Sequence, residues 1–123
     1  MAFDVQAEEA RRLVVVTVKG TYDGKSVLEM VTAAREAATA RGWNILYDMT
    51  RATPGDMTSA ELYWLPRRVP VLGAPEAGRI RVAVVHSPAH AALAEYWETT
   101  FRNTGLQARA FSEDAAAVAW LRS

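Results

Sequence analysis

Residues 13–18 read Leu13-Val14-Val15-Val16-Thr17-Val18, a β-branched run that predicts a strand. Both alternating sets of side chains in this run are almost entirely apolar, which is typical of a strand covered on both faces. A helical period follows from Gly24 to Arg41, and a second apolar strand, Asn44-Ile45-Leu46-Tyr47-Asp48, comes after it. A strand, a helix and a strand in succession predict a parallel pair of strands joined by a right-handed crossover.

The helix between these two strands has recognisable ends. Asp23 is a suitable N-cap, and Gly42 suits the left-handed conformation in which helices often end. The apolar residues at helical spacing predict its inward face: Val27, Leu28, Val31, Ala34 and Ala38. The polar residues are predicted to lie on its other faces: Lys25, Glu29, Thr32, Arg35 and Glu36.

The chain before residue 13 predicts a hairpin, in which Phe3–Ala7 forms a strand antiparallel to the next one. After the second apolar strand, Met49–Met57 is predicted to be a loop because it contains Pro54 and Gly55. Thr58-Ser59-Ala60-Glu61 then has the spacing of a capping box, which predicts the start of a second helix.

The last third of the chain alternates in the same way. Ile80–Val85 predicts a strand, and Ser87 and Pro88 predict the cap and first position of a helix that ends near residue 104. The predicted inward stripe of that helix consists of Ala89, Leu93, Trp97 and Phe101. A final strand, Gln107–Phe111, precedes a short helix with Ser112 as its predicted cap and Val118 and Leu121 on its inner face.

The predicted order is therefore β-β-α-β-α-β-α-β-α. We interpret residues 1–123 as a single α/β domain with a mostly parallel five-stranded sheet, in which the first strand is antiparallel. The strands are predicted to lie side by side in chain order. Such a sheet has no point where the strand order reverses, so it lacks the usual nucleotide-binding crevice of open α/β sheets.

Composition excludes several classes of protein. The 14 basic and 14 acidic residues balance, which argues against a nucleic-acid binder, and the absence of cysteine excludes disulfides and thiolate metal sites. No apolar run is long enough for a membrane span, and the first residues do not resemble a secretory signal. We therefore expect a cytoplasmic protein. The arginine-rich and alanine-rich composition is typical of a GC-rich bacterial genome.

Three stretches carry a resemblance to a known family. They are Asn44-Ile45-Leu46-Tyr47-Asp48-Met49, Val82-Ala83-Val84-Val85, and the ending from Ala110-Phe111-Ser112-Glu113-Asp114 to Ala119-Trp120-Leu121. In these stretches and in its order of elements the chain resembles the STAS domain, the fold of bacterial anti-sigma factor antagonists. Within it, the chain is most similar to the small stand-alone SpoIIAA-like proteins, which share their fold with the CRAL-TRIO lipid carriers.

This resemblance implies a regulatory or binding module without catalysis. Its expected partner is a protein, such as a regulator similar to an anti-sigma kinase, or a small amphipathic, lipid-like molecule. In phosphorylatable STAS proteins the loop after the Asp-ending strand holds Asp-Ser-Ser-Gly-Leu, and the second Ser receives phosphate. The matching stretch here is Asp56-Met57-Thr58-Ser59-Ala60, so Thr58 is the candidate phosphorylation residue. Met57, Ser59 and Ala60 depart from the motif, and plain helix capping also accounts for Thr58.

Polar residues collect after two of the predicted strands. His86 and His90, the only histidines, are expected near Asp48 and Ser87 at the carboxyl end of the sheet. The two histidines do not complete a tetrahedral ligand set, so no metal site is predicted. A small hydrolase using Ser87, His86 and Asp48 is the least favoured alternative, because no nucleophile elbow surrounds Ser87. We expect no catalytic residue, no enzyme activity and no cofactor.

Two pairs of adjacent aromatic residues, Tyr63-Trp64 and Tyr96-Trp97, fall in successive predicted helices. Adjacent residues on a helix face different ways, so one aromatic of each pair is expected in the core and the other near the surface. Ordinary packing explains this pattern, and so does the wall of an apolar pocket. The candidate pocket residues are Tyr22, Asp48, Tyr63, Trp64, His86, His90, Tyr96 and Trp97. A homodimer is left open.

Overall fold

The computed structural model describes residues 1–55, 79–103 and 106–123. Its strands are β1 (Ala2–Glu8), β2 (Leu13–Tyr22), β3 (Asn44–Pro54), β4 (Arg81–Val85) and β5 (Gln107–Phe111). Its helices are α1 (Gly24–Arg41), α2 (Ala91–Arg102), which follows a 3-10 turn at Pro88–His90, and α3 (Asp114–Leu121). The helix predicted to begin at Thr58 lies outside the described residues. Of the helices described, none has the length and apolarity needed to cross a bilayer.

The five strands form one sheet in the order β1-β2-β3-β4-β5. The β1–β2 pair is antiparallel and the other three pairs are parallel. In the centre of the sheet Val16 lies opposite Tyr47, and Tyr47 lies opposite Val84. The predicted α/β class and the predicted order of the strands are confirmed.

Helices cover both faces of the sheet. The first face carries Val14, Val16 and Val18 of β2 and packs against α1 and α2. The opposite face carries Leu13, Leu46 and Ala83 and packs against α3. Each valine or leucine removed from water in this way contributes about 1.5–3 kcal/mol. The apolar run 13–18 therefore belongs to a strand covered on both sides, as its pattern predicts.

The ends of α1 lie where the sequence predicts them, but one residue of its predicted polar faces, Arg35, points inward. The Asp23 carboxylate accepts a hydrogen bond from the Ser26 backbone N–H at 2.9 Å, and Gly42 ends the helix at φ 67°. Arg35, predicted to lie off the inward face, is buried. It occupies a position between Val31 and Ala38 on the same stripe, so helical spacing directs its side chain inward despite its charge.

Strand β3 is longer than predicted. Residues 49–54, predicted as a loop, continue β3 alongside the end of β2, with Lys19 opposite Arg51 and Tyr22 opposite Pro54. The pairing with β4 stops at Asp48 and Val85, so this extension projects beyond the next strand, where polar side chains remain solvated. The Gly55 N–H then donates to the Tyr22 carbonyl at 2.9 Å, in a space where a Cβ would lie 2.6 Å from that oxygen.

One of the two predicted serine caps is wrong. Ser87 is the N-cap residue of the 3-10 turn, with Pro88 directly after it as predicted, but its hydroxyl contacts the His90 ring and not a backbone N–H. Glu113, rather than Ser112, is the N-cap residue of α3. The inward stripe of the α2 segment also begins later than predicted, since Ala89 is exposed and Ala94 is the first buried residue.

Polar contacts hold α3 on the side of the sheet away from α1 and α2. The Asn44 side-chain amide donates to the Leu121 carbonyl at 2.7 Å and accepts from the Arg81 backbone N–H at 2.8 Å. The Arg81 guanidinium donates to the Trp120 carbonyl at 2.8 Å. These bonds satisfy the free carbonyl groups at the end of α3 and leave the opposite face of the sheet to the other helices.

Candidate functional site

A pocket opens on the α1 and α2 face, at the carboxyl end of strands β2, β3 and β4. This is the edge where open α/β sheets usually bind ligands. Of the residues that the structure describes, eleven from β2, α1, β3, β4 and the α2 segment line it: Tyr22, Met30, Tyr47, Met49, Ala52, Val84, His86, His90, Leu93, Ala94 and Trp97. Most of these side chains are apolar, and the polar atoms come from tyrosine hydroxyls and imidazole rings.

The pocket is narrow. The pocket contains about 410 Å³ of empty space, counted out to its open mouth. Within that space, the centre of a water molecule can occupy about 30 Å³. A single water molecule needs roughly 10–15 Å³ on that second measure. The pocket in this conformation therefore has room for a few small atoms or a slim chain, and not for a bulky lipid.

Aromatic rings form one wall. The rings of Tyr22 and Trp97 meet edge to face with their centroids 6.4 Å apart, and the Phe101 ring lies 5.6 Å beyond Trp97. Trp97 is 7% exposed, whereas its neighbour Tyr96 is 37% exposed and does not line the pocket. The prediction that this pair divides between core and surface is confirmed, and Tyr96 is removed from the pocket candidates. Tyr63 and Trp64 lie outside the described residues, as does Thr58.

Asp48 does not line the pocket either. Side chains alternate along β3, so Asp48 shares the α3 side of the sheet with Leu46, while Tyr47 and Met49 face the pocket. Its Oδ1 accepts hydrogen bonds from the Thr50 hydroxyl at 2.6 Å and the Thr50 backbone N–H at 3.1 Å. Asp48 thus orders its own strand, and its predicted place among the pocket residues is wrong.

The two histidines line the pocket, but their hydrogen bonds are local. The His86 Nδ1 lies 2.9 Å from the Ser87 backbone oxygen, which only accepts, so Nδ1 carries the hydrogen. The Ser87 hydroxyl shares a hydrogen bond of 3.1 Å with His90 Nδ1. The proposed Ser87, His86 and Asp48 arrangement is not formed. In residues 1–55, 79–103 and 106–123, no three His, Cys, Asp or Glu residues lie together as metal ligands would.

Tyr47 and Arg35 form a buried polar pair that sequence reasoning missed. Each is 3% exposed, and in the part of the chain that the structure describes no well-formed hydrogen bond reaches the Tyr47 hydroxyl or Nε and Nη2 of Arg35. The guanidinium lies over the Phe101 ring, 5.3 Å from its centroid. The spacing of the sequence indicates that both side chains are buried. Arg35 lies at helical spacing from the inward residues Val31 and Ala38, and Tyr47 lies two positions from Ile45 and from Met49 on the same face of the strand.

Burial changes the acidity of the polar groups here. It raises the pKa of Tyr47 to about 12, against the opposing effect of the positive Arg35 guanidinium. It also raises the pKa of Tyr22, which lines the same pocket, to about 12. The pKa of Arg35 is lowered by burial, while Tyr47 acts in the other direction. Both pocket tyrosines are therefore neutral hydrogen-bond donors at physiological pH.

Comparison with known proteins identifies the fold. Neither a scan of protein-family models nor a search of curated proteins found a match to the chain. Among solved structures, the chain is similar to an uncharacterised protein of the DUF3478 family from Shewanella loihica, described as having a SpoIIAA-like fold. The two share 18% identity over 98% of this chain and 92% of the other, with a TM-score of 0.60. The resemblance drawn from the sequence is thereby confirmed at the level of structure: this chain has a SpoIIAA-like fold.

Proposed function

We propose that the protein is a non-catalytic, STAS-like binding module that takes a small amphipathic molecule in the pocket at the carboxyl end of its sheet. The observation that carries this proposal is the pocket itself, whose walls are mostly apolar and whose few polar groups converge from different elements. Concave apolar sites with a small number of polar groups are the usual form of small-molecule sites.

The dimensions of the pocket limit the ligand. A slim aliphatic chain fits the narrow space between Met30, Met49 and Leu93, and methionine side chains adapt readily to such chains. The hydroxyls of Tyr22 and Tyr47 and the imidazole rings supply hydrogen bonds for one polar end. These features support a short amphiphile and argue against a full-sized lipid.

Hydrolysis is supported less well. The Ser87 hydroxyl does bond to an imidazole, but its partner is His90, one 3-10 turn along the same segment. A catalytic serine normally needs a base that a third group orients, and Asp48 lies on the other face of the sheet. Ser87 itself does not line the pocket. A local contact that stabilises the turn before α2 accounts for the Ser87 and His90 geometry.

Regulation through a protein partner is compatible with the SpoIIAA-like fold, and the described residues favour no particular partner surface. The phospho-switch at Thr58 remains a prediction from the resemblance. A ligand-binding pocket and a protein partner are not exclusive, because a module of this kind can report its occupancy to another protein.

A pair of substitutions on one helix tests the ligand-binding proposal. Ala94 lines the pocket and is buried, whereas Ala92 on the same helix is exposed. Ala94→Leu should fill the pocket and weaken the binding of hexan-1-ol at least tenfold, because the added carbons occupy the space of the chain. Saturation-transfer NMR with hexan-1-ol as the probe measures this binding.

Ala92→Leu is the matched control, with the same change in side chain and helix propensity, and should bind the probe as the wild type does. Equal binding by the wild type and both variants would place the probe elsewhere on the protein. Absence of binding to the wild type would contradict the proposed function.

A further inference from the structure

The guanidinium of Arg35 is buried, and no described residue supplies it with an anion. Among the residues that the structure describes, ion pairs join Arg11 to Glu8 and Arg102 to Glu98, and no carboxylate pairs with Arg35. Arginine stays protonated even in protein interiors, so this side chain carries a positive charge that is 3% exposed. A buried charge with no counter-charge is costly, and such a charge usually has a partner.

The contacts that Arg35 does make offset only part of this cost. The Phe101 ring, 5.3 Å from the guanidinium carbon, offers a cation–π attraction but no hydrogen-bond acceptor. Burial lowers the pKa of Arg35, and the Tyr47 hydroxyl opposes this change through its charge and its hydrogen-bonding interaction with the guanidinium, so the two groups lie within reach of each other. Among the described residues no hydrogen bond of normal geometry satisfies Nε, Nη2 or the phenol O–H, so three buried donors lack an acceptor there.

We propose that Arg35 and Tyr47 bind the carboxylate of a short-chain carboxylic acid whose aliphatic chain occupies the pocket. Tyr47 connects the two halves of this site, because it lines the pocket and lies beside the guanidinium. This inference rests on the proposed function and names the ligand class for the same pocket.

The chemistry favours a carboxylate over other polar ends. Its two oxygens match the planar fork of a guanidinium, and they leave lone pairs for the tyrosine hydroxyl. An alcohol presents one oxygen, which cannot satisfy the three donors. A phosphate group carries nearly two negative charges at neutral pH, more than the single guanidinium balances. A bound water could also satisfy some of these donors, and the experiment distinguishes that case.

The test compares hexanoate with hexan-1-ol, which have the same chain length and differ in the polar end. We expect hexanoate to bind the wild-type protein at least tenfold more tightly at neutral pH, measured by NMR titration. Arg35→Met should bring the two affinities together while leaving hexan-1-ol binding within about twofold, since a charge-assisted hydrogen bond is lost. Arg41→Met, at an exposed arginine of the same helix, is the control and should retain the preference.

Tyr47→Phe removes the hydroxyl without changing the shape of the pocket, and it should lower the preference for hexanoate several-fold. If Arg35→Met does not fold, this variant decides, and an unchanged preference overturns the carboxylate site. Equal binding of acid and alcohol to the wild type also overturns it, leaving Arg35 satisfied by water and the ligand-binding function intact. Binding of neither probe overturns the proposed function and this inference together.

Discussion

The hydroxyl of Tyr47 is a buried donor in β3, and within residues 1–55, 79–103 and 106–123 no well-formed hydrogen bond satisfies it. Leaving such a group unsatisfied costs about 1–3 kcal/mol, which the surrounding packing must offset. Residues under this kind of burden are concentrated at functional sites. Here the burden falls on Tyr47 and Arg35 together, beside the pocket, on the face of the sheet opposite to Asp48.

Titration of the two buried tyrosines should make the stability of the protein depend on pH. We expect the free energy of unfolding to fall as the pH rises from about 10 to about 12, because burial raises the pKa of Tyr47 and Tyr22 from 10.0 to about 12. The folded state keeps phenol protons that the unfolded chain releases. Their contribution to the free energy of unfolding is therefore complete at a pH below the pKa of the unfolded chain, and it is lost as the pH rises through the pKa of the folded state. Urea unfolding at a series of pH values measures it.

Tyr47→Phe provides the control for that prediction. Between the two pKa values one such tyrosine contributes a slope of about 1.4 kcal/mol per pH unit, so the variant should show a shallower decline by about that amount. Identical slopes for the wild type and Tyr47→Phe would contradict the burial of a neutral phenol at this position.

Single residues also show what can and what cannot be predicted from the sequence. The division between Trp97 and Tyr96 follows from helical geometry and was predictable. The charge of Arg35 predicts a place off the inward face of α1, although its position repeats with Val31 and Ala38. No local pattern contains the information that the Phe101 ring, on another helix, is available to cover a guanidinium.

Among the elements, the ends of α1 could be predicted from the sequence, whereas the full length of β3 could not. Its ends were predictable because capping is a local property, with Asp23 and Ser26 at the start and Gly42 at the end. The extension of β3 through Pro54 was not, because Thr50, Arg51 and Thr53 have the polarity of a loop. That extension is a strand only because the end of β2 pairs with it, which is a contact between distant parts of the chain.

A glycine substitution tests the end of α1. Gly42 has φ 67°, and a Cβ there would meet no atom within 4 Å, so only backbone strain opposes a larger residue. Gly42→Ala should lower the free energy of unfolding by about 1–2 kcal/mol, the cost of the left-handed conformation for an ordinary residue. Chemical denaturation measures this change.

Gly42→Asn is the graded comparison, because asparagine tolerates the left-handed region better than alanine does. It should lower the stability by less than Gly42→Ala. Equal stability of the alanine variant and the wild type would contradict the left-handed end of the helix.

The arrangement of the whole molecule follows from a few rules. Right-handed crossovers and short connections predicted a sheet in chain order, and both the order and the parallel pairs are confirmed. The pocket required more than those rules, because β2, α1, β3, β4 and α2 all contribute to it. The sequence predicts Tyr22, His86, His90 and Trp97 as pocket residues, and all four line the pocket. Tyr47, the two methionines and the alanines entered only once the packing of the helices was known.

Site-resolved NMR tests the binding proposal most directly. Methionine methyl groups of Met30 and Met49 and the indole N–H of Trp97 report from inside the pocket, whereas the indole of Trp120 lies with α3 on the other face of the sheet. Titration with hexanoate should shift the three pocket signals together along one saturable curve and leave the Trp120 signal in place. A saturable shift at Trp120 without change at Met30, Met49 and Trp97, or no saturable shift at all, would contradict a ligand site in this pocket.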